Sequence, residues 1–335
     1  MVFHKNSVIG ITMGDLNGIG PEIIVKALSD PYIRSMAEFV IYGTESHLQS
    51  AANKCGIDRF WVSQPSEKLD TDLVKGVVLA DYQFEYKPDI KKPDRESGEA
   101  SLKFCNDAID AALRNDIDAI VTAPINKLSW KLAGAKWPGH TELLAEKCGT
   151  DQKAMMFVAG KIKLALATIH EALFDVKHRL DIASVANSIR LLNQALINYF
   201  GINKPSIAVA ALNPHAGEEG RFGDEECTII SPAIELAREE GVNASGPFPA
   251  DTLFLKASRG DYDGVVAMYH DQGMIPVKLM AFADAVNVTI GLPILRTSPA
   301  HGTAFDIAGE SIADASSMKR AIEVAVKMAI LRGKY

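Results

Sequence analysis

Three histidines of this chain each close a short apolar run. KLALATIH ends at His170, SIAVAALNPH at His215 and DGVVAMYH at His270. Each run is rich in β-formers and stops at a polar cluster, the pattern of a buried strand reaching its carboxyl end. In an open α/β sheet, ligands bind beyond the carboxyl ends of the strands. Three imidazoles brought to that edge would hold a divalent metal with positions left open for a substrate. One such histidine alone reads as a hydrogen-bonded loop residue; the repetition, in polar surroundings, favours the metal. Their spacing matches no local metal motif, so only the fold can bring them together. Asp251 and Asp271 are the acids nearest to this set and would orient the imidazoles.

Other polar groups gather at predicted strand ends. Arg296 is followed by Thr297 and Ser298, a trio suited to a phosphate or carboxylate. Lys278 lies just beyond His270, and Asn287 is a lone amide inside the probable buried strand VNVTI, where it needs a partner. Thr122, Asn126 and Lys127 follow the strand DAIV. Gly139-His140-Thr141-Glu142 opens a helix, with Thr141 as a possible N-cap and His140 placed to meet an anionic group. The segment His301-Gly302-Thr303-Ala304-Phe305-Asp306-Ile307-Ala308-Gly309 reads as a loop able to wrap a planar ligand. The turn GDLNGIGPE, from Gly14 to Glu22, reads either as a tight strand-to-helix joint or as an anion site at a helix N-terminus. It is not the dinucleotide fingerprint GxGxxG, whose spacing differs.

These residues need a scaffold, and the chain supplies one. Its 335 residues are 47% hydrophobic and 23% charged, enough for two domains with sizeable cores. Strand-like and helix-like runs alternate: SVIGITM with PEIIVKALSD, then EFVIYG with ESHLQSAANKCG. This predicts βαβ units, hence an α/β fold with a mainly parallel sheet. Helices are expected over GEASLKFCNDAIDAAL, over VANSIRLLNQALINYFG closed by Gly201, and over SSMKRAIEVAVKMAILRG. The polar stretch Tyr82–Ser97 reads as a surface loop. A boundary is expected near Trp130–Gly139 and a return crossing near Val286–Pro293. The first domain is then 1–130 plus 290–335, and the second is 131–289, carrying the three histidines. The net charge of −7 argues against a nucleic-acid surface. No long apolar stretch predicts a membrane span, no signal peptide is evident, and the four scattered cysteines read as reduced thiols. A cytoplasmic protein is the expectation.

Taken in order, ITMGDLNGIGPEI, GHTE, ALNPHAGE, GPFPADTLF, AMYHDQG, VTIGLPILRTS and HGTAFDIAG resemble the 4-hydroxythreonine-4-phosphate dehydrogenase family of vitamin B6 synthesis. The resemblance spans nearly the whole chain. The HGTAFDIAG loop also resembles the nucleotide loop of isocitrate- and isopropylmalate-type dehydrogenases. The resemblance implies two α/β/α domains, with the active site in the cleft and at a dimer interface. It implies that His170, His215 and His270 bind a divalent metal (Zn, Mg or Co) shared between the subunits of a homodimer. It implies that His140, Thr141, Lys278, Asn287 and Arg296 contact a phosphorylated small hydroxy acid. NAD or NADP would bind near His301, Gly302, Thr303 and Asp306.

The chemistry so implied is oxidation of 4-hydroxythreonine 4-phosphate, then decarboxylation to 3-amino-2-oxopropyl phosphate. His140, Lys278 and Asp271 are the candidates for the general base. Relatives within the family oxidise 4-phospho-D-threonate or 4-phospho-D-erythronate instead. The segment HEALFDV after His170 departs from the THxPL-type segment of many pyridoxine-pathway members, which leaves the substrate open among these. Two other classes use the same features: a metal-dependent lyase without nicotinamide, and a phosphate-ligand binding protein without catalysis.

Overall fold

The computed structural model describes residues 7–84, 91–281 and 284–333. The chain divides into two compact units, Met1–Asp151 with Leu292–Tyr335, and Gln152–Gly291. The first unit opens with β1 (Val8–Thr12), α1 (Gly20–Leu28), α2 (Pro31–Arg34), β2 (Glu38–Gly43) and α3 (Glu45–Cys55). It continues through β3 (Val62–Pro65), β4 (Val77–Asp81), α4 (Arg95–Leu113), β5 (Ala119–Thr122), α5 (Lys127–Leu132) and α6 (His140–Lys147). The second unit holds β6 (Ala154–Ala159), β7 (Ile162–Leu166), α7 (Val176–Arg179), α8 (Ile182–Phe200), β8 (Ile207–Ala210) and α9 (Ser231–Glu239). It ends with β9 (Ala244–Phe248), α10 (Ala250–Arg259), β10 (Gly264–Ala267), α11 (His270–Ala281) and β11 (Val286–Ile290). The chain then returns to the first unit with β12 (Arg296–Pro299) and α12 (Ser316–Arg332).

In the first unit the strand order is β3-β4-β2-β1-β5-β12, and every pair is parallel. In the second the order is β11-β6-β7-β10-β8-β9. There β6 pairs antiparallel with β11 and β7, and the run β7-β10-β8-β9 is parallel. Parallel strands with helices on their faces are buried on both sides, which is why these strands read as continuous apolar runs. Ile9, Ile11, Phe39, Ile41, Ile120 and Val121 are fully buried in one unit, and Leu164, Val209 and Val266 in the other.

The expected helices form for identifiable reasons. In α4 the Asp94 side chain caps the start by accepting from Ser97 N at 2.7 Å. Its inner stripe buries Phe104, Cys105, Ala108, Ile109 and Ala112, while Leu102 is half-buried at the edge. Phe104 is fully buried, and truncating it to Ala would cost about 3–5 kcal/mol. In α8 a capping box joins Asp181 and Ser184, and Gly201 ends the helix at φ 68. Part of the polar stretch expected as a loop, residues 85–90, lies outside the described residues. The remainder is irregular up to Asp94, the N-cap of α4, which begins at Arg95, two residues before the expected end of the loop at Ser97. All four cysteines are free thiols.

The first break in the chain falls after Asp151 rather than after residue 130, and the return after Gly291 rather than after 289. The difference is residues 131–151, including α6, which stay with the first unit. Two contacts hold them there. The rings of Trp130 and His140 meet edge-on with centroids 5.4 Å apart, and Lys147 pairs with Asp110 of α4 at 2.6 Å.

Candidate active site

Strands β7, β10 and β8 are parallel neighbours, and His170, His270 and His215 follow their carboxyl ends in that order. The strand ends are tied to one another by side chains. Thr168 Oγ1 donates to Met268 O at 2.7 Å, joining the exits of β7 and β10. Gln272 Oε1 accepts from Met268 N at 2.7 Å while its Nε2 donates to Ala211 O at 2.6 Å, joining β10 to β8. The loop carrying His215 is anchored by Glu226, which is buried. Glu226 Oε1 accepts from Leu212 N and Asn213 N at 2.8 and 2.7 Å, and its Oε2 from Asn213 Nδ2 at 3.0 Å. Above this anchor, residues 215–219 run through five consecutive left-handed conformations, four of them not glycine. Such strain persists only where surrounding structure enforces it, and it clusters at functional sites.

The rings of His170 and His270 lie 5.7 Å apart. His270 Nδ1 is 2.7 Å from Asp271 Oδ1, which fixes the ring tautomer and directs its lone pair to Nε2. A carboxylate behind a ligating imidazole is the usual arrangement of metal histidines, so the donor set fits a divalent ion. The two rings border a cavity of about 420 Å³ that Thr168, Glu171, Val176 and Tyr269 also line. His215 packs instead near Phe222, with ring centroids 6.3 Å apart. Among the described residues no three His, Cys, Asp or Glu side chains are grouped closely enough to hold an ion. Asp251, the other expected orienting acid, lies exposed in the first turn of α10.

Each histidine shares its segment with exposed apolar side chains. Leu173 and Phe174 follow His170, and Phe174 is 87% exposed. Phe222 stands beside His215, and Ile275, Leu279 and Met280 lie on α11, which His270 begins.

In the first unit a second polar cluster is buried. Arg296 opens β12 and is only 3% exposed. Its Nε and Nη2 donate to Thr122 Oγ1 at 3.1 and 2.7 Å, from the neighbouring strand β5. Burial draws the guanidinium pKa down to about 10, which leaves it charged at neutral pH. His140 sits at the first position of α6, and its Nε2 is shielded and without a partner. Burial, reinforced by the charge of Arg296, holds its pKa well below the usual range, so the imidazole is neutral. Burial pushes the thiol of Cys105 up to about 12.

Several expected residues take structural duties. The N-cap of α6 is Gly139, and Thr141 makes no cap. Thr297 Oγ1 donates to Ala321 O of α12 at 2.9 Å, which commits its hydroxyl to the fold. Asn126 caps α5 by accepting from Leu128 N and Ser129 N, and Lys127 is exposed. In the second unit Lys278 is exposed in the last turn of α11, and Asn287 Oδ1 is shielded without a partner.

The GDLNGIGPE turn is a joint rather than an anion nest. Asp15 N donates to Pro124 O, Leu16 N to Ser97 Oγ, Asn17 N to Asp15 Oδ1, Gly18 N to Asp15 O and Ile19 N to Thr303 O. Pro21 has no N–H, so the turn keeps little to offer an anion. Glu22 Oε1 accepts from Lys26 Nζ and Ala313 N, both at 2.8 Å, and Lys26 Nζ also donates to Ser311 O and Ala313 O. The motif thus fastens both ends of the 301–309 loop. In that loop His301 Nδ1 contacts Gly302 O at 3.0 Å, which leaves its shielded Nε2 as an unpaired acceptor. Open space surrounds Gly302, Thr303 is buried and Asp306 is exposed. The orphaned acceptor beside an open glycine fits one edge of a nucleotide.

The residues that build this site but carry no sequence signal are Thr168, Gln272 and Glu226. Glu226 ends the acidic run Asp224-Glu225-Glu226, which reads as a solvated face.

Known proteins resemble this chain along nearly its whole length. The model of a family described as pyridoxal phosphate biosynthetic protein PdxA matches residues 35–325. A 4-hydroxythreonine-4-phosphate dehydrogenase of Desulforapulum autotrophicum is 43% identical over 97% of this chain and 96% of its own length. A D-threonate 4-phosphate dehydrogenase of Salmonella typhimurium is 42% identical over 97% of this chain and 100% of its own. The crystal structure of a 4-hydroxythreonine-4-phosphate dehydrogenase from Klebsiella pneumoniae superposes with a TM-score of 0.86 at 37% identity, covering 97% of this chain and 100% of that one. A β-decarboxylating dehydrogenase of Thermococcus kodakarensis, at 14% identity and a TM-score of 0.50, shares the fold alone. With a family model over most of its length and relatives above 40% identity end to end, this chain belongs to the PdxA family.

Proposed function

We propose that this protein oxidises 4-hydroxythreonine 4-phosphate and decarboxylates the product to 3-amino-2-oxopropyl phosphate, for pyridoxal phosphate synthesis. The carrying observation is the set of three histidines closing three adjacent parallel strands in a member of this family. When bound, a divalent ion supplies Lewis acidity toward the substrate oxygens, and NAD or NADP accepts the hydride.

The chain's own residues do the rest. His170, His215 and His270 would hold the ion, and Asp271 fixes the His270 ring through Nδ1. Arg296, fixed on Thr122, binds the phosphate or carboxylate of the substrate, with Lys278, Asn287 and Thr141 as further contacts. His140 holds a substrate oxygen by a hydrogen bond at Nε2. Its depressed basicity suits that task better than storing a proton, so the proton of the reacting hydroxyl falls to Lys278. The loop at His301, Gly302, Thr303 and Asp306 receives the nucleotide.

The working form is a cytoplasmic homodimer. Exposed Leu173, Phe174, Phe222, Ile275 and Leu279 beside the histidines favour burial against a second copy. His170 and His270 are adjacent and His215 stands apart, which supports a shared ion that would take the first two from one subunit and His215 from the other.

A second reading keeps the chemistry and changes the substrate to 4-phospho-D-threonate or 4-phospho-D-erythronate. Nearly equal identity to the threonate enzyme favours it, as does the divergent HEALFDV segment. A turnover panel of the three 4-phospho hydroxy acids separates these, run with each nicotinamide, with and without chelator. NADH and CO2 are followed together. The proposal expects 4-hydroxythreonine 4-phosphate to have the highest kcat/KM, with both products lost on chelation. Preference for the threonate would establish the second reading. CO2 release without nicotinamide reduction would replace both with a lyase.

A further inference from the structure

A cavity of about 210 Å³ in the first unit shares no residue with the Arg296 cluster, the GDLNGIGPE turn or the 301–309 loop. Tyr42 of β2, Tyr82 beyond β4, Asp107, Asp110 and Arg114 of α4, and Asp116 are among its walls. Tyr42 is the buried member of this set, at 2% exposure, and its hydroxyl is shielded with no partner. A buried tyrosine hydroxyl ordinarily has one. Its ring packs against Gly10 of β1, where an added Cβ would stand 3.1 Å from Cε2. Burial, with the charges of Asp116 and Asp107 added, pushes its pKa above the usual phenol range. The hydroxyl therefore keeps its proton and presents both a donor and an acceptor. The acids on the wall are engaged to different degrees. Asp107 is complete: Oδ2 accepts from Tyr82 OH at 2.7 Å and Oδ1 from Lys103 Nζ at 2.8 Å. Asp110 pairs with Lys147 through Oδ1 at 2.6 Å, and Asp116 with Arg114 through Oδ2 at 2.8 Å. That leaves the second oxygen of each without a protein partner. Both side chains are partly exposed, so this end of the cavity opens to solvent.

A buried hydroxyl left open on a cavity costs free energy unless something completes it. The complement must carry positive charge toward Asp110 and Asp116. At Tyr42 it must present a group that accepts and donates at once. An ammonium meets the first need and a hydroxyl the second. A metal ion offers no donor, and among the described residues no three acids are grouped closely enough to hold one. An anion is disfavoured, because three carboxylates line the cavity against one guanidinium, itself paired with Asp116. We propose that this cavity is a second ligand site, for a small hydroxylated amine. The ammonium lies against Asp110 and Asp116, and the ligand's hydroxyl accepts from Tyr42. The inference is independent of the dehydrogenase reading, since it uses no residue of that site.

The test is an NMR titration of the full-length protein labelled in its tyrosine rings, at constant ionic strength. The probes are ethanolamine and n-propylamine, which match in size and charge and differ in the hydroxyl. The signals of Tyr42 and Tyr82 should shift and saturate with ethanolamine at about millimolar concentration, as suits so small a ligand. Ethanolamine should bind about fivefold more tightly than n-propylamine, the worth of one hydrogen bond to a buried neutral group. Tyr42→Phe keeps the ring and removes the hydroxyl, so it should abolish that preference, read at Tyr82. Asp116→Asn should instead weaken both amines alike, by about threefold or more. A structural role for Tyr42 alone would move both amines together in Tyr42→Phe and so overturn the proposal. Equal binding of the two amines to wild type would overturn it too, as would the absence of saturable shifts. Shifts reproduced by potassium chloride would replace the amine with a simple cation. Should Tyr42→Phe fail to fold, the comparison of the two amines on wild type decides alone.

Discussion

The two units present their chemistry in opposite ways. In the first, Arg296, Thr122 and His140 are packed inside, with the guanidinium already on Thr122 and the imidazole already neutral. In the second, the histidines follow the strand ends beside exposed apolar side chains, on ends stapled by Thr168, Gln272 and Glu226. One cluster is buried and already hydrogen-bonded within its own unit. The other has a rigid base and an open top, the form expected when a second subunit supplies the remainder. Preorganisation below and incompleteness above are compatible, because only the strand ends need to be rigid for ligands to meet at the right distance.

The largest effect should come from the open site. His270→Ala should lower turnover by about a thousandfold or more and remove bound metal, measured by elemental analysis of the purified protein. Thermal stability should change little, since the side chain is partly exposed. Wild-type activity in metal-free protein would break the comparison at its root. Mixed dimers then test the sharing. His170→Ala mixed in equal amount with His215→Ala should regain about a quarter of the wild-type sites, since about half of the dimers are hybrids and one of the two sites in each hybrid has all its ligands. His170→Ala mixed with His270→Ala should regain none, because both lesions fall on ligands that one subunit contributes together. The reverse pattern, with exchange verified, would pair His215 with one of the others.

Next in size is the closed site. Arg296→Lys keeps the charge but loses the planar fork that reaches Thr122 through two nitrogens. KM for the phosphorylated substrate should rise about tenfold to a hundredfold, in line with about 1.5–3 kcal/mol for hydrogen bonds to a charged group. An unchanged KM would move the anion site to Lys278 in the other unit.

How much of this was legible in the sequence follows from which contacts are local. The strand ends were legible because an apolar run that stops at a histidine announces both burial and exit. The helices α4, α8 and α12 were legible from their spacing, and Gly201 from its place after the last apolar residue. The boundary at Asp151 was not, because α6 is held by a ring contact with Trp130 and by a lysine reaching back to Asp110, pairings that composition and periodicity do not signal. The same holds for the GDLNGIGPE turn, whose N–H groups find Ser97, Pro124 and Thr303 from three distant segments. Only folding decides that these donors are consumed and unavailable to an anion. Glu226 was invisible for the opposite reason: its burial is the exception within an acidic run whose composition signals solvent. The left-handed run from His215 to Glu219 carries only Gly217 as a local sign.

The smallest effect distinguishes the units by pH. His47 and His140, whose basicity burial depresses, both lie in the first unit. Unfolded, such a histidine takes up a proton near pH 6.5; folded, His47 does so only near pH 4. Between those values the unfolded chain binds more protons, so stability is full above pH 6.5 and falls as pH drops toward 4. The share of His47 is at most about 3 kcal/mol by linkage. His140 adds to the loss in the same direction. Acidification across this window should therefore loosen the first unit before the second. Hydrogen exchange at pH 7 and pH 5 reads this directly: amides of α3 and α6 should lose protection while those of α8 keep theirs. His47→Phe should flatten the pH dependence for α3. Equal loss of protection in both units would show that the closed site is no more acid-sensitive than the open one, and that its buried histidines are relaxed rather than held.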